Sequence, residues 1–458
     1  MPNNVRHPAY LKFATTCLAG ALVAIAAAPT VADEQFAPTT IVQLPDNQIL
    51  SAFDISFVEN RSHTFALASS RVVGSGGAFG TVIIVNTREN LVTKELRATP
   101  PFVGDCTVPP IRNTYSGPNG VIVIEKGRNT DVWAADGPVF NTPCVPASGL
   151  KTPSTVKVLD LHTGATKAVI ETGNGKPGTL GIRRADELCY NPISDVVLIA
   201  NDDPLDNFIA FIGEDSLKVL QRIRFDGTDP NGSNILANGI EQCVFNPRDG
   251  KFYLNIPATG ATGSGPGVTL RISAHAPFHV EKVFTVAAST GCGGGAGLAV
   301  GPDHQLALGC GGANSLIMDD RDGSTIAVVT GEGGTDEVWY NPGNNHYFFA
   351  RSTAATLGVE DAGPPPSADP TATTAVGSKN PAVDPHRNQV YVPVLAGAGT
   401  ICGSNFDVFG NKGDDAKGCI AIYTAPSDKD DCLAEGEAVI AVNEEGDAEH
   451  KKVRCDRN

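Results

Sequence analysis

ADELCYNP, residues 185–192, returns twice in altered form, as IEQCVFNP at 240–247 and TDEVWYNP at 335–342. Each copy carries an acidic residue, runs through apolar positions and closes on Asn-Pro. Proline fixes its own φ and has no N–H to donate, so Asn-Pro ends a strand at a turn. Each copy then leads into a second β-rich run: ISDVVLIANDD after Pro192, RDGKFYLNIP after Pro247 and GNNHYFFARS after Pro342. The unit is a hairpin, repeated.

Four weaker copies share the plan: DISFVENRSHTFALASS around Asn60, NGVIVIEKGRNTDVWAADG around Glu125, GGAGLAVGPDHQLALGC around Pro302 and NPAVDPHRNQVYVPVL around Pro385. A third strand and often a fourth follow, as in GTVIIVNTRENLVTKEL and STVKVLDLHTGATKAVI. Four antiparallel strands per unit, repeated along the chain, predict an all-β β-propeller of seven four-stranded blades. Radial packing buries both faces of every sheet and leaves only short edges. Six blades with a decorated loop is the alternative, because the last two intervals between closing positions are the shortest. TTIVQLP, from Thr39, is expected to supply the outer strand of the last blade and close the ring.

Composition agrees. The 458 residues are 41% hydrophobic and 18% charged, which suits a large core and not a disordered chain. Fifty glycines and 32 prolines without a collagen-like period mark many turns between short strands. The net charge of -16, with no cluster of Lys and Arg, argues against nucleic acid or an anionic membrane surface as partner.

Residues 1–32 read as a secretory signal: Arg6 and Lys12 give the positive start, Cys17 to Ala28 the apolar stretch, and Thr30-Val31-Ala32 a small-residue cleavage site. The expected layout is a signal over 1–32, a propeller over 33–428 and a tail over 429–458, in a periplasmic or secreted protein with no membrane span after cleavage. Loss of Cys17 from the 11 cysteines leaves an even number, as a disulfide framework requires. Neighbour pairing predicts Cys106–Cys144, Cys189–Cys243, Cys292–Cys310, Cys402–Cys419 and Cys432–Cys455, the last pinning the tail. Neither a C-x-x-C pair nor a C-x-x-C-H haem motif occurs.

The unit of apolar strand, Asn/Asp-Pro, turn and apolar strand resembles the YVTN-type seven-bladed propellers and, more loosely, the SMP-30/gluconolactonase and strictosidine-synthase-like propellers. In the SMP-30-like family, the position six residues before the closing proline supplies ligands to a divalent metal in the central channel. That resemblance implies a ligand column of Asp54, Asn119, Asp186, Glu241 and Asp336, with Ala296 and Lys379 at the remaining two positions. Convergent carboxylates repel, so a cation is expected among them. Oxygen-only ligands suit a hard ion, calcium first, and the Lys379 ammonium is the internal alternative.

The second strand of each hairpin returns to the same end, which places Asp136, Asn201, Asp202, Asp203 and Arg351 around the mouth with Glu187 and Glu337. Two functions follow from different classes. One is metal-assisted hydrolysis of a lactone or ester, with Asp336 as general base. The other is a non-catalytic propeller that binds a protein, polymer or small ligand on one face. No G-x-S-x-G elbow is present, and His63, His304, His346 and His386 fall in turns away from the column, where they are expected to be exposed. Trp133 and Trp339 lie within inner hairpins and are expected in the core. GPPPSADPTATT, from Gly363, is expected to be a surface loop because of its prolines.

Overall fold

The computed structural model describes residues 37–45, 48–73, 78–106, 115–173, 184–202, 207–424, 437–442 and 448–452. The signal segment and Cys432–Cys455 fall outside these residues. Seven four-stranded antiparallel sheets follow one another along the chain. Their first strands are Gln48–Glu59, Val121–Lys126, Ala185–Asn191, Cys243–Asn246, Gly295–Val300, Thr335–Asn341 and Ala382–Asp384, the inner strands of blades 1 to 7. The N-terminal strand Pro38–Gln43 pairs with Cys419–Thr424 and completes blade 7, which fastens the two ends of the ring together.

The apolar runs do not alternate with polar residues because both faces of each sheet are covered. In blade 2, Val121 and Val123 pack with blade 1, whereas Ile122 and Ile124 pack with blade 3. The core is accordingly divided among the seven interfaces between neighbouring blades, each with its own apolar cluster. Trp133, fully buried, belongs to the blade 2/3 cluster.

The Asn of Asn-Pro has two tasks. Its Oδ1 accepts from the backbone N–H two residues on: Ile193 N to Asn191 at 2.8 Å, Arg248 N to Asn246 at 3.0 Å and Gly343 N to Asn341 at 2.9 Å. These are Asx turns that end the inner strand. Its Nδ2 donates to the next blade: Asn191 to Ala274 O at 3.3 Å, Asn246 to Asp320 Oδ2 at 2.8 Å and Asn341 to Asn388 Oδ1 at 3.2 Å. The motif therefore stops a strand and staples the blade to its neighbour.

Four of the expected disulfides form: Cys106–Cys144, Cys189–Cys243, Cys292–Cys310 and Cys402–Cys419. Cys189–Cys243 joins the inner strands of blades 3 and 4. The segment expected to be a surface loop is instead partly a strand: Ser367–Thr373 forms the outer edge of blade 6. Its Pro370 sits where the register shifts between Val359 and Leu357 of the partner strand, and an edge strand tolerates the missing donor. His346 is also a correction. It is buried, and its ring bridges Asn344 O and Asp369 Oδ2, the latter at 2.6 Å, so it pins that edge strand to the blade.

Candidate functional site

The inner strands of blades 1 to 6 line a central channel of about 550 Å³. Its walls are more apolar than polar: Phe57, Tyr190, Phe245, Trp339 and Tyr340 line it together with Glu59, Arg61, Glu125 and Glu187. Trp339 packs edge-on against Phe57, ring centroids 5.7 Å apart, so it belongs to the channel wall and not only to the core. Two polar atoms of the lining are buried without a hydrogen-bond partner: Trp339 Nε1, a donor, and Asn60 Oδ1, an acceptor.

At the start of the inner strands the chain is crowded. A Cβ on Gly120 would stand 1.8 Å from Asp186 O, and one on Gly297 2.6 Å from Asp336 O. Only glycine lets these neighbouring strands approach so closely. Polar contacts stitch the same level: Ile55 N donates to Asn119 O at 3.1 Å, Asn119 Nδ2 to Ala185 O at 3.3 Å and Glu337 N to Lys379 O at 3.2 Å.

Three of the column residues are drawn into one chain of ion pairs. Lys379 Nζ stands 2.5 Å from Asp54 Oδ1 and 2.7 Å from Asp336 Oδ2. Arg184 continues the chain, with NH1 3.3 Å from Asp54 Oδ2 and NH2 2.7 Å from Asp186 Oδ2. The path Asp336–Lys379–Asp54–Arg184–Asp186 links blades 6, 7, 1 and 3. Arg184 escaped the sequence reading because it precedes the repeat position by two residues. The one signal for it was a basic residue directly before the strongest copy of the motif.

The other two column residues stand differently. The Asn119 amide also donates to Ser116 O at 2.9 Å, so its nitrogen serves the backbone. Glu241 contributes its backbone N–H to Asn255 O at 3.0 Å, and its carboxyl feels Asp202, Asp336 and Asp186. Of the expected mouth residues, Asp136 is a buried partner of Lys157 Nζ at 2.6 Å, and Arg351 Nε donates to Gly333 O at 3.2 Å. Asn201 accepts from Thr172 Oγ1 at 2.7 Å. These three are structural contacts, the last of them between blades 2 and 3. Asp203 lies outside the described residues.

Burial and like charge set the protonation of the acids. Burial pushes Asp186 up to about 8; Arg184 opposes this, and Asp54 and Asp202 reinforce it. Glu187 and Glu337 are raised well above the usual range, by burial first and then by the carboxylates around them. Burial raises Glu241 in the same way. Asp54 goes the other way: burial opposes its charge, but Lys379 and Arg184 together hold it below the usual range.

A calcium ion needs six to eight oxygens at 2.3–2.6 Å. Here three of the five expected ligands already hold Lys379 or Arg184. Among the described residues no three acidic, His or Cys side chains stand together as a metal cage. The residues as they stand do not fit calcium.

No family model matches the chain, and no curated protein matches it by sequence. Solved structures do. A chain of the mitotic checkpoint complex aligns over 90% of this chain and 99% of that one, with a TM-score of 0.51 at 13% identity. The RRP9 WD40 repeats align over 86% and 99% with a TM-score of 0.54 at 8% identity, and U3-55K over 84% and 98% with 0.53 at 8%. These likenesses support the seven-bladed propeller fold and do not reach the narrower YVTN or SMP-30 resemblance.

Proposed function

We propose that the chain is an exported, non-catalytic binding propeller that takes a small, mainly apolar ligand into its central channel. The observation that carries this is the channel itself: about 550 Å³, walled more by aromatic and aliphatic than by polar side chains, with Glu59, Arg61, Glu125 and Glu187 among the polar ones. Such a cavity has the size and character of a small-molecule site. Such a ligand would lie against the aromatic side chains of Phe57, Tyr190, Phe245 and Trp339.

The lining supports binding over bond cleavage. Among the described residues that line the channel there is no histidine, Ser56 gives its hydroxyl to Asn380 at 2.8 Å, and Cys189 and Cys243 are joined to each other. Asp336, the expected general base, is held by Lys379. Four disulfides support the expectation of an oxidising compartment. Among the described residues no helix is long and apolar enough to cross a membrane.

Calorimetric titration with benzyl alcohol, which combines an aromatic body with one hydroxyl, tests the reading. The wild type should give saturable heat that Val300→Phe, a substitution on the channel wall, abolishes. Equal heats from both proteins, or none from either, would overturn it.

A further inference from the structure

We propose that the outer edge of blade 5 is a pairing surface for a second copy of this chain, joined to it by antiparallel strand addition. A contrast among the seven outer strands carries the inference. None of them pairs with a further strand among the described residues. An open edge offers its backbone donors and acceptors to any other strand, and lysine or proline on the edge discourages such pairing. Six of the seven carry one: Lys94, Lys167, Lys218 and Lys282 on blades 1 to 4, Pro370 on blade 6 and Pro38 on blade 7. Blade 7 is covered as well, since Ile41 N donates to Phe406 O at 3.1 Å. Thr325–Val329 of blade 5, TIAVV, has neither lysine nor proline and no charge.

The side chains suit a copy of the same strand. Ile326 and Val328 are 38% and 40% exposed and, two residues apart, stand on one face of the strand. The other face carries Val329, buried against blade 6. Paired antiparallel about Ala327, two copies set Ile326 of each opposite Val328 of the other, so both exposed apolar side chains gain a cross-strand neighbour. Each chain has one such edge, so the pairing closes at two copies.

Charge selects the same edge. Each copy carries a net charge of -16, so two copies repel wherever their acidic surfaces meet, and an uncharged strand is where that cost is least. A strand of 5 residues buries less than the roughly 1,200 Å² of a stable interface, so the dimer is weak and forms with concentration.

Sedimentation velocity over about 5 to 500 µM protein, the range of a weak interface, reads the association. The wild type should move from the mass of one chain toward that of two as concentration rises. Raising NaCl from about 0.05 to 0.5 M should tighten the dimer, because salt screens the repulsion between copies while the paired strands carry no charge. Val328→Lys should weaken dimerisation at least about tenfold by placing a charge on the edge, and Ile326→Lys should act in the same way. Leu220→Lys makes the same kind of change at a 52% exposed position on the outer strand of blade 3 and should dimerise as the wild type does. A wild type that stays a single chain at every concentration, or that grows past two chains, overturns the inference. So do edge variants that dimerise like the wild type, or a Leu220→Lys variant that loses dimerisation equally. None of these readouts depends on a channel ligand.

Discussion

Replacing Asn246 by alanine isolates what the repeated Asn-Pro does. The side chain is fully buried and makes two hydrogen bonds, one from Arg248 N at 3.0 Å and one to Asp320 Oδ2 at 2.8 Å. A neutral bond contributes about 1 kcal/mol net and one to a carboxylate about 1.5–3 kcal/mol. Asp320 keeps His304 at 2.8 Å and Arg248 at 3.3 Å, so its charge is not stranded. The expected loss is about 2–4 kcal/mol. Asn191 makes its inter-blade bond to a neutral carbonyl at 3.3 Å, so Asn191→Ala should cost less, about 1–2 kcal/mol. Asn246→Asp keeps the acceptor for Arg248 N but sets a carboxylate against Asp320, and should be worse than alanine. Urea unfolding at constant m reads all three. A change within about 0.5 kcal/mol for Asn246→Ala, or an Asn246→Asp variant as stable as wild type, would refute the staple.

Gly120→Ala should destabilise by about 1–3 kcal/mol or more, because its Cβ would lie 1.8 Å from Asp186 O; denaturant midpoints check this, and an unchanged midpoint contradicts the close approach. Stability should fall as pH rises from about 5 to 8. Asp186, pushed up to about 8, holds its proton in the fold over most of that window, and burial shifts Glu187, Glu241 and Glu337 in the same direction, while the unfolded chain has released these protons near the ordinary carboxyl range. Asp54 acts in the opposite direction and only at low pH, where its charge is lost. Glu187→Gln combined with Glu337→Gln should flatten the decline, and equal slopes in variant and wild type would count against the buried carboxyl pair.

Much of the fold was legible in three eight-residue copies. Asn-Pro marks a strand end through backbone chemistry alone, and continuous apolar runs report sheets covered on both faces, so the propeller follows; six or seven blades stayed open, because the short last intervals do not show that blade 7 takes its outer strand from Pro38–Gln43. Ser367–Thr373 was not legible, since proline excludes a central strand but permits an edge, and the sequence does not say which strand lies outside. The column was legible as convergence of Asp54, Asp186 and Asp336, whereas its partner Arg184 lies outside the repeat and reaches Asp54 across blade 2. His346 reads as a turn residue until Asp369 is brought beside it by the edge strand.

The channel is tested most directly by the emission of Trp339. The chain has two tryptophans, and Trp133 is fully buried between blades 2 and 3, away from the channel lining. Titration with benzyl alcohol should shift or quench the emission saturably in the wild type and leave Trp339→Phe, which reports Trp133 alone, unchanged. A saturable change that persists in Trp339→Phe, or an unresponsive wild type, would contradict a ligand site in the channel.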